Sequence, residues 1–217
     1  MTTPAAVIFD NDGLLLDTES VWTRAEAALY ADRGVEFTPE HKTELVGRSA
    51  EAAARVMAGH LGEGADGEAL IAELDGIVFE ELQRGVEPMP GALDLVAALR
   101  ARETPVALVS NSPRRFIETA IGLVGLEPAF GVLVSGHEVA APKPAPDAYL
   151  EACAQLDLMP SREIVVLEDS PTGVASGLAA GLTVLGVPSV DGVVLDDAHE
   201  VYASLAEPRL HERLGVG

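Results

Sequence analysis

The sequence is poor in cysteine, lysine and aromatic residues. Its 217 residues include one cysteine, Cys153, two lysines, Lys42 and Lys143, and only 4% aromatic residues. A single cysteine cannot form an internal disulfide or a cysteine-rich metal site. No uncharged apolar run approaches the roughly 18 residues that a membrane-spanning helix needs, and the N-terminus lacks the basic region of a signal peptide. We therefore expect a cytoplasmic protein without a membrane segment.

Positive charge is also scarce. Lys and Arg total 14 against 35 Asp and Glu, which gives a formal net charge of −21. Such a field repels phosphate backbones and anionic membranes, so no nucleic-acid or membrane partner is expected. It also repels small anionic substrates, and a phosphate site would therefore need local cations or amide donors of its own. The 48% of apolar residues is enough for the core of one domain, with or without an insert.

Short apolar runs that end in polar residues alternate with helical patterns. The runs cover residues 5–9, 106–109, 132–134, 164–167 and 182–185. The helical patterns cover residues 91–102, 114–124, 146–156 and 172–180. This alternation predicts an α/β fold with a doubly wound parallel sheet, a Rossmann-like core, in which the chemistry lies at the carboxyl ends of the strands.

A long segment after the first strand interrupts this alternation. Trp22, Ala25 and Leu29 recur at helical spacing, and the rest of the segment also has helical, amphipathic stretches. The Pro and Gly residues at 88–91 mark the return to the sheet. We therefore predict a core domain of residues 1–16 and 87–217 and an inserted all-helical domain of residues 17–86.

Acidic residues follow the first predicted strand. Asp10 and Asp12 come directly after it and are separated by Asn11. Two carboxylates so placed can act as a nucleophile and as a group that moves a proton. Asp, Asn and Gly are also ordinary residues of turns and helix caps, so this segment alone leaves both interpretations open.

Three further segments place polar residues at predicted strand ends or in loops between the elements. Ser110 and Asn111 follow the second strand, where a hydroxyl and amide donors can hold a phosphoryl oxygen, although both residues also cap helices. Lys143 lies between two prolines and can neutralise a carboxylate and a transferring phosphoryl group, unless it is an ordinary exposed loop lysine. Glu168 and Asp169 follow the fourth strand. These acids would repel those of the first segment unless a cation is shared, and oxygen-only ligands suit Mg²⁺; a solvated acidic turn is the alternative.

The four segments, in this order, resemble the motifs of the haloacid dehalogenase-like superfamily, in the branch that includes phosphatases and beta-phosphoglucomutase. They are residues 9–19 (FDNDGLLLDTE), 110–112 (SNS), 143–147 (KPAPD) and 168–170 (EDS). The resemblance covers nearly the whole chain, and the helical insert matches the family's mobile cap. Asn11 is a departure, because an apolar residue is usual between the two acids.

The resemblance implies a Mg²⁺-dependent phosphatase that hydrolyses a small phosphorylated metabolite, expected to be a sugar phosphate, through an aspartyl-phosphate. Asp10 would attack phosphorus and bind Mg²⁺. Asp12 would protonate the leaving oxygen and later activate water, while its backbone carbonyl binds the metal. Catalysis of this kind rests mostly on positioning and charge neutralisation.

The other segments would bind phosphate and metal. Ser110 and Lys143 would hold the phosphoryl group, with Asn111 as a further candidate phosphate ligand. Asp169 would ligate Mg²⁺, and Glu168 would join the metal site or orient Lys143.

The insert would recognise the rest of the substrate. Arg48 is the candidate residue, although an Arg on a polar helix end is often only solvated.

A beta-phosphoglucomutase is the alternative enzyme, but its pattern has a His ten residues after the second Asp, where this sequence has Trp22. An indole cannot accept a proton, so we expect hydrolysis to dominate.

A dehalogenase is disfavoured because that chemistry resembles family members that lack the second acid. A catalytically idle binding module on the same fold is the alternative from another class. The presence together of all five residues with an assigned role in catalysis or binding argues against it: Asp10, Asp12, Ser110, Lys143 and Asp169.

Overall fold

The computed structural model describes residues 3–45, 50–62, 67–190 and 192–217. The chain divides into two compact units, a core unit of Met1–Asp17 with Glu87–Gly217 and a helical unit of Thr18–Val86. None of the helices in the described ranges is long and apolar enough to cross a membrane.

In the described residues of the helical unit, all regular secondary structure is α-helical. The helices are α1 (Thr18–Ala31), α2 (Pro39–Leu45), α3 (Ala50–Leu61) and α4 (Gly67–Arg84). α1 packs on α4, and α3 packs on α2 and α4. Val21, Ala25 and Leu29 of α1 are buried at intervals of four residues, which places them on one face of the helix. Lys42 of α2 pairs with Glu26 of α1, with 2.8 Å between Nζ and Oε2.

The core unit is built on a parallel sheet. Its strands are β1 (Ala6–Phe9), β2 (Val106–Ser110), β3 (Val132–Ser135), β4 (Ile164–Glu168), β5 (Thr183–Gly186) and β6 (Glu200–Val201). Its helices are α5 (Ala92–Ala101), α6 (Arg114–Leu123), α7 (Asp147–Gln155), α8 (Pro171–Ala179) and α9 (Pro208–Leu214). The strand order is β3-β2-β1-β4-β5-β6, and every adjacent pair is parallel. The predicted α/β class, with a doubly wound sheet and a helical insert, is confirmed.

The inner strands are continuous apolar runs because both faces of the sheet are covered. Ala6 and Ile8 of β1 belong to a buried cluster that includes Tyr149 of α7 and Val174 of α8. Side chains alternate along a strand, so Phe9 points to the opposite face. There its ring lies edge-on to that of Phe130, with 5.9 Å between the centroids.

Two elements of the core unit lack a sequence signal. β6 has two residues, too few to show a period, and neither β6 nor α9 is predicted from the sequence. The segments that leave and re-enter the core unit pair with each other. Asp17 donates its N–H to the carbonyl of Glu87 at 2.9 Å, and Met89 donates to that of Leu15 at 2.8 Å.

Candidate active site

The polar segments lie at one edge of the sheet. β2, β1 and β4 are adjacent, and parallel strands present their carboxyl ends together. From β1 the chain moves outward to β2 and β3 and then crosses back, so that β4 lies on the other side of β1. Open α/β sheets form their ligand sites at such a reversal of strand order. The topology therefore gathers the segments that follow β1, β2 and β4.

Lys143 lies at the centre of this edge. Its Nζ is 2.5 Å from Asp10 Oδ1 and 2.7 Å from Glu168 Oε1, and it donates to the carbonyl of Val109 at 3.0 Å. Burial lowers the pKa of the ammonium, but the charges of Asp10 and Glu168 outweigh this and hold the pKa well above its usual value. The alternative of an exposed loop lysine is wrong, since the side chain is 4% exposed.

Glu168 is fully buried and held at both carboxylate oxygens. Oε1 accepts hydrogen bonds from Lys143 and, at 2.6 Å, from the hydroxyl of Tyr149. Oε2 accepts from the hydroxyl of Ser170 at 3.2 Å and from its N–H at 3.4 Å. α8 passes so close that a Cβ at Gly173 would collide with this carboxylate. Glu168 is therefore a fixed counter-charge for Lys143. That it orients this lysine stays a prediction.

Asp12 is held by three side-chain donors. Its Oδ2 accepts from the hydroxyls of Ser110 at 2.5 Å and Ser112 at 2.9 Å, and its Oδ1 accepts from Asn11 Nδ2 at 3.1 Å. Asn11 is fully buried, and its Oδ1 is a buried side-chain atom without a hydrogen-bond partner in the described structure. The departure from the family pattern at Asn11 therefore supplies a donor to Asp12.

The side chain of Asn111 binds the backbone of Lys143. Its Nδ2 donates to the Lys143 carbonyl at 3.1 Å, and its Oδ1 accepts from the Lys143 N–H at 3.0 Å. A Cβ at Gly136 would come within 2.6 Å of Asn111 Oδ1, so glycine leaves room for this contact. Both polar atoms thus contact the backbone of the lysine, and the second N–H of Asn111 Nδ2 stays available as a donor.

The acids at this edge lie close enough together to hold a cation. Asp10, Glu168 and Asp169 each offer a carboxylate oxygen within 4.8 Å of the others. Burial, opposed in part by Lys143 and reinforced by the neighbouring acids, raises the pKa of Asp10 well above its usual value. Burial also raises the pKa of Asp169 to about 7. Three carboxylates beside one ammonium leave excess negative charge, and an oxygen-only donor set fits a hard divalent cation such as Mg²⁺.

Some site residues lack a clear signal in the sequence. The helical spacing of Tyr149 predicts only that it is a core residue. Ser112 belongs to the second motif, but the sequence assigns it no role of its own. Ser189, whose hydroxyl donates to Asp169 Oδ2 at 2.6 Å, is twenty residues away from its partner. Arg48, the candidate for substrate recognition, lies outside the described residues.

The fold places acids and one buried lysine at the carboxyl edge of a doubly wound sheet, where open α/β sheets bind their ligands. Residues 4–181 match the model of the haloacid dehalogenase-like hydrolases, and the chain belongs to this family. It is 30% identical over 204 residues to validoxylamine A 7'-phosphate phosphatase from Streptomyces hygroscopicus subsp. limoneus, an alignment that covers 93% of this chain and 94% of the relative.

Two solved structures are also similar to this chain over nearly its whole length. A HAD family hydrolase from Deinococcus radiodurans R1 with bound phosphate and sodium is 30% identical, with a TM-score of 0.79 over 99% of this chain and 98% of that one. A putative beta-phosphoglucomutase from Thermotoga maritima is 25% identical, with a TM-score of 0.82 over 97% of each chain. The predicted family, its phosphatase branch and the enzyme class, a phosphatase, are confirmed.

Proposed function

We propose that this phosphatase depends on Mg²⁺ and hydrolyses small phosphomonoesters, with sugar phosphates as the substrate class, through an aspartyl-phosphate on Asp10. The observation that carries the proposal is the contact of Asp10 with the buried ammonium of Lys143. Asp12, two residues further on, is held by the hydroxyls of Ser110 and Ser112. The relative named for the 7'-phosphate of validoxylamine A supports a small phosphate ester as substrate.

In the first half of the reaction, a carboxylate oxygen of Asp10 attacks phosphorus. The bond between phosphorus and the ester oxygen breaks, and Asp12 donates its proton to that oxygen, which leaves as an alcohol. In the second half, Asp12 takes a proton from a water molecule whose oxygen attacks phosphorus. The bond to Asp10 breaks, and the Asp10 carboxylate, inorganic phosphate and a protonated Asp12 are formed.

The contacts of Asp12 suit both of its protonation states. A serine hydroxyl can donate to a carboxylate and can turn to accept from a carboxylic acid. Ser110 and Ser112 can therefore hold Asp12 Oδ2 before and after each proton transfer. Orientation of the acid is then kept throughout the cycle, which favours a short proton path.

Asp10, Asp169 and the backbone carbonyl of Asp12 would hold the Mg²⁺ ion, with Glu168 beside them. When bound, Mg²⁺ would neutralise charge on the phosphoryl oxygens and on the acids. Lys143, which is already paired with Asp10, would add its own positive charge beside the phosphoryl group.

We assign the helical unit to the family's cap, within the predicted insert of residues 17–86. Its proposed task is to exclude bulk water and to select the alcohol part of the substrate, because the core residues bind only groups common to all phosphate esters. Arg48 is the proposed contact to that part.

Phosphate release tests the proposal. The purified protein is incubated with Mg²⁺ and a panel of phosphorylated metabolites, with a chromogenic phosphate ester as a general substrate. We expect inorganic phosphate from sugar phosphates with wild type and with Asp94→Asn, an exposed change on α5. Asp10→Asn should release it at less than about one hundredth of the wild-type rate. No release from any ester would favour the idle binding module.

A beta-phosphoglucomutase is the second candidate, supported by the similarity to the Thermotoga maritima structure. A mutase must protect its aspartyl-phosphate from water until sugar is bound. Trp22 stands where the mutase pattern has a proton-accepting His, so we expect free glucose and phosphate from beta-glucose 1-phosphate. Formation of glucose 6-phosphate faster than phosphate release would favour the mutase.

A further inference from the structure

Ser189 joins the acidic cluster from the segment that follows β5. It lies three residues beyond the end of β5, the neighbour of β4, and Glu168 at the end of β4 is in register with Gly186 of β5. The hydroxyl of Ser189 donates to Oδ2 of Asp169 at 2.6 Å. Ser189 lies beyond residues 4–181, the part of the chain that matches the family.

The turn after β1 closes over this hydrogen bond. Gly13 has a φ of +81°, and a Cβ there would collide with Asp169 Oδ2 and come within 2.8 Å of Ser189 Oγ. A glycine therefore allows the backbone of the first motif to lie directly against the pair. The carboxylate is held by a hydroxyl on one side and is restricted by this backbone on another.

An acid in this cluster needs such a restraint. Asp169 carries a carboxylate oxygen within 4.8 Å of those of Asp10 and Glu168, and like charges at this separation repel. A side chain free to rotate about its Cα–Cβ bond would turn away from the other acids. The cation would then have to turn it back on binding, at the expense of affinity.

We propose that Ser189 is a positioning residue of the metal site, whose hydroxyl holds the Asp169 carboxylate in the orientation that binds a divalent cation. This inference rests on the Mg²⁺ site of the proposed function. Hydrogen-bond partners of metal ligands commonly change metal affinity by about 10- to 100-fold. A residue that only packs would change stability and leave metal affinity as it is.

Binding of Mg²⁺ alone to the metal-stripped protein, measured by isothermal titration calorimetry, tests the inference without turnover. We expect Ser189→Ala to weaken Mg²⁺ binding by about 10-fold or more. Ser161→Ala is the control, since the Ser161 hydroxyl accepts only from the backbone N–H of Glu163 in the described contacts, at 3.3 Å. Its Mg²⁺ affinity should equal that of wild type.

Ser189→Thr and Ser189→Val form a second, matched pair. The two side chains have nearly the same shape, and only Thr keeps the hydroxyl, so their comparison holds even if Ser189→Ala folds poorly. We expect Thr to retain most of the Mg²⁺ affinity and Val to lose it. Unfolding in EDTA should be similar for the two.

The results separate this inference from the proposed function. Equal Mg²⁺ affinities for Ser189→Ala and wild type, or for the Thr and Val variants, would overturn the inference, as would a wild-type protein that binds no Mg²⁺. A wild type that binds Mg²⁺ but releases no phosphate would contradict the proposed function. In that case the affinities of the Ser189 variants would still decide whether the inference is right.

Discussion

Two tyrosines offer a controlled test of how much the buried site contributes to stability. Tyr149 and Tyr202 each donate a hydrogen bond of 2.6 Å to a glutamate, and each glutamate also has a basic partner. The glutamates differ in burial. The side chain of Glu168, the acceptor of Tyr149, is fully buried, whereas that of Glu200 is 40% exposed.

Replacing each tyrosine with phenylalanine removes one oxygen and leaves the ring in place. A hydrogen bond to a charged group contributes about 1.5–3 kcal/mol, and a buried acceptor that loses its donor cannot turn to water. We therefore expect Tyr149→Phe to reduce the free energy of unfolding by about 1.5–3 kcal/mol. At Glu200 water can replace the hydroxyl, so Tyr202→Phe should cost less than about 1 kcal/mol.

Urea denaturation in EDTA measures both losses without a contribution from bound metal. Both tyrosines lie in the core unit, so the same unfolding transition reports on them. The midpoint should shift and the slope with urea concentration should stay constant, since no additional surface is exposed. Equal losses in the two variants, or a loss below about 0.5 kcal/mol for Tyr149→Phe, would refute the reasoning from burial.

Three further predictions concern the nucleophile, the metal and the acidic cluster. Asp10→Asn keeps the side-chain volume but removes the nucleophile, so phosphate release should fall below about one hundredth of wild type, and a higher rate would contradict the assignment. EDTA should stop turnover and Mg²⁺ restore it, whereas Ca²⁺ should not, because its looser coordination misplaces the reacting groups; full activity in excess chelator would count against the metal. In the metal-free protein, burial raises the pKa of Asp169 from 3.8 to about 7, so the folded state keeps a proton that the unfolded state has released. This group should therefore make the protein less stable as pH rises from about 4 to about 7. Urea denaturation across this range should show the decrease in wild type and a smaller one in Asp169→Asn, and identical profiles would argue against the shift.

The sequence alone predicts the sheet because its signals are local. A continuous apolar run that ends in polar residues identifies a buried parallel strand, and the intervening helical periods imply crossovers between parallel strands. The convergence of Asp10, Ser110 and Glu168 follows from the same rule, since parallel strands end at one edge. A two-residue strand such as β6 shows no period and escapes this reasoning.

The direction of a polar side chain was decided only in the tertiary structure. Asn111 is adjacent to Ser110 in the second motif, yet its amide turns to the backbone of Lys143, 32 residues away. From the sequence, Asn11 is only a polar residue at a position where the family pattern is apolar. The structure shows that its amide donates to Asp12. In each case the rotamer depends on which polar atoms lie within about 3 Å, the Lys143 backbone for Asn111 and the Asp12 carboxylate for Asn11, and the sequence pattern does not contain that information.

Sequence by itself therefore determined the class of fold and the order of the motifs, and the resemblance of those motifs to a known family supplied the proposed roles of the acids and the lysine. It could do so because strand, helix and strand-end patterns are read over a few neighbouring residues. The partners that hold those groups, Tyr149 for Glu168 and Ser189 for Asp169, were decided by tertiary structure. They come from different elements, about twenty residues away, and only the packed sheet and its covering helices bring hydroxyl and carboxylate within hydrogen-bond distance.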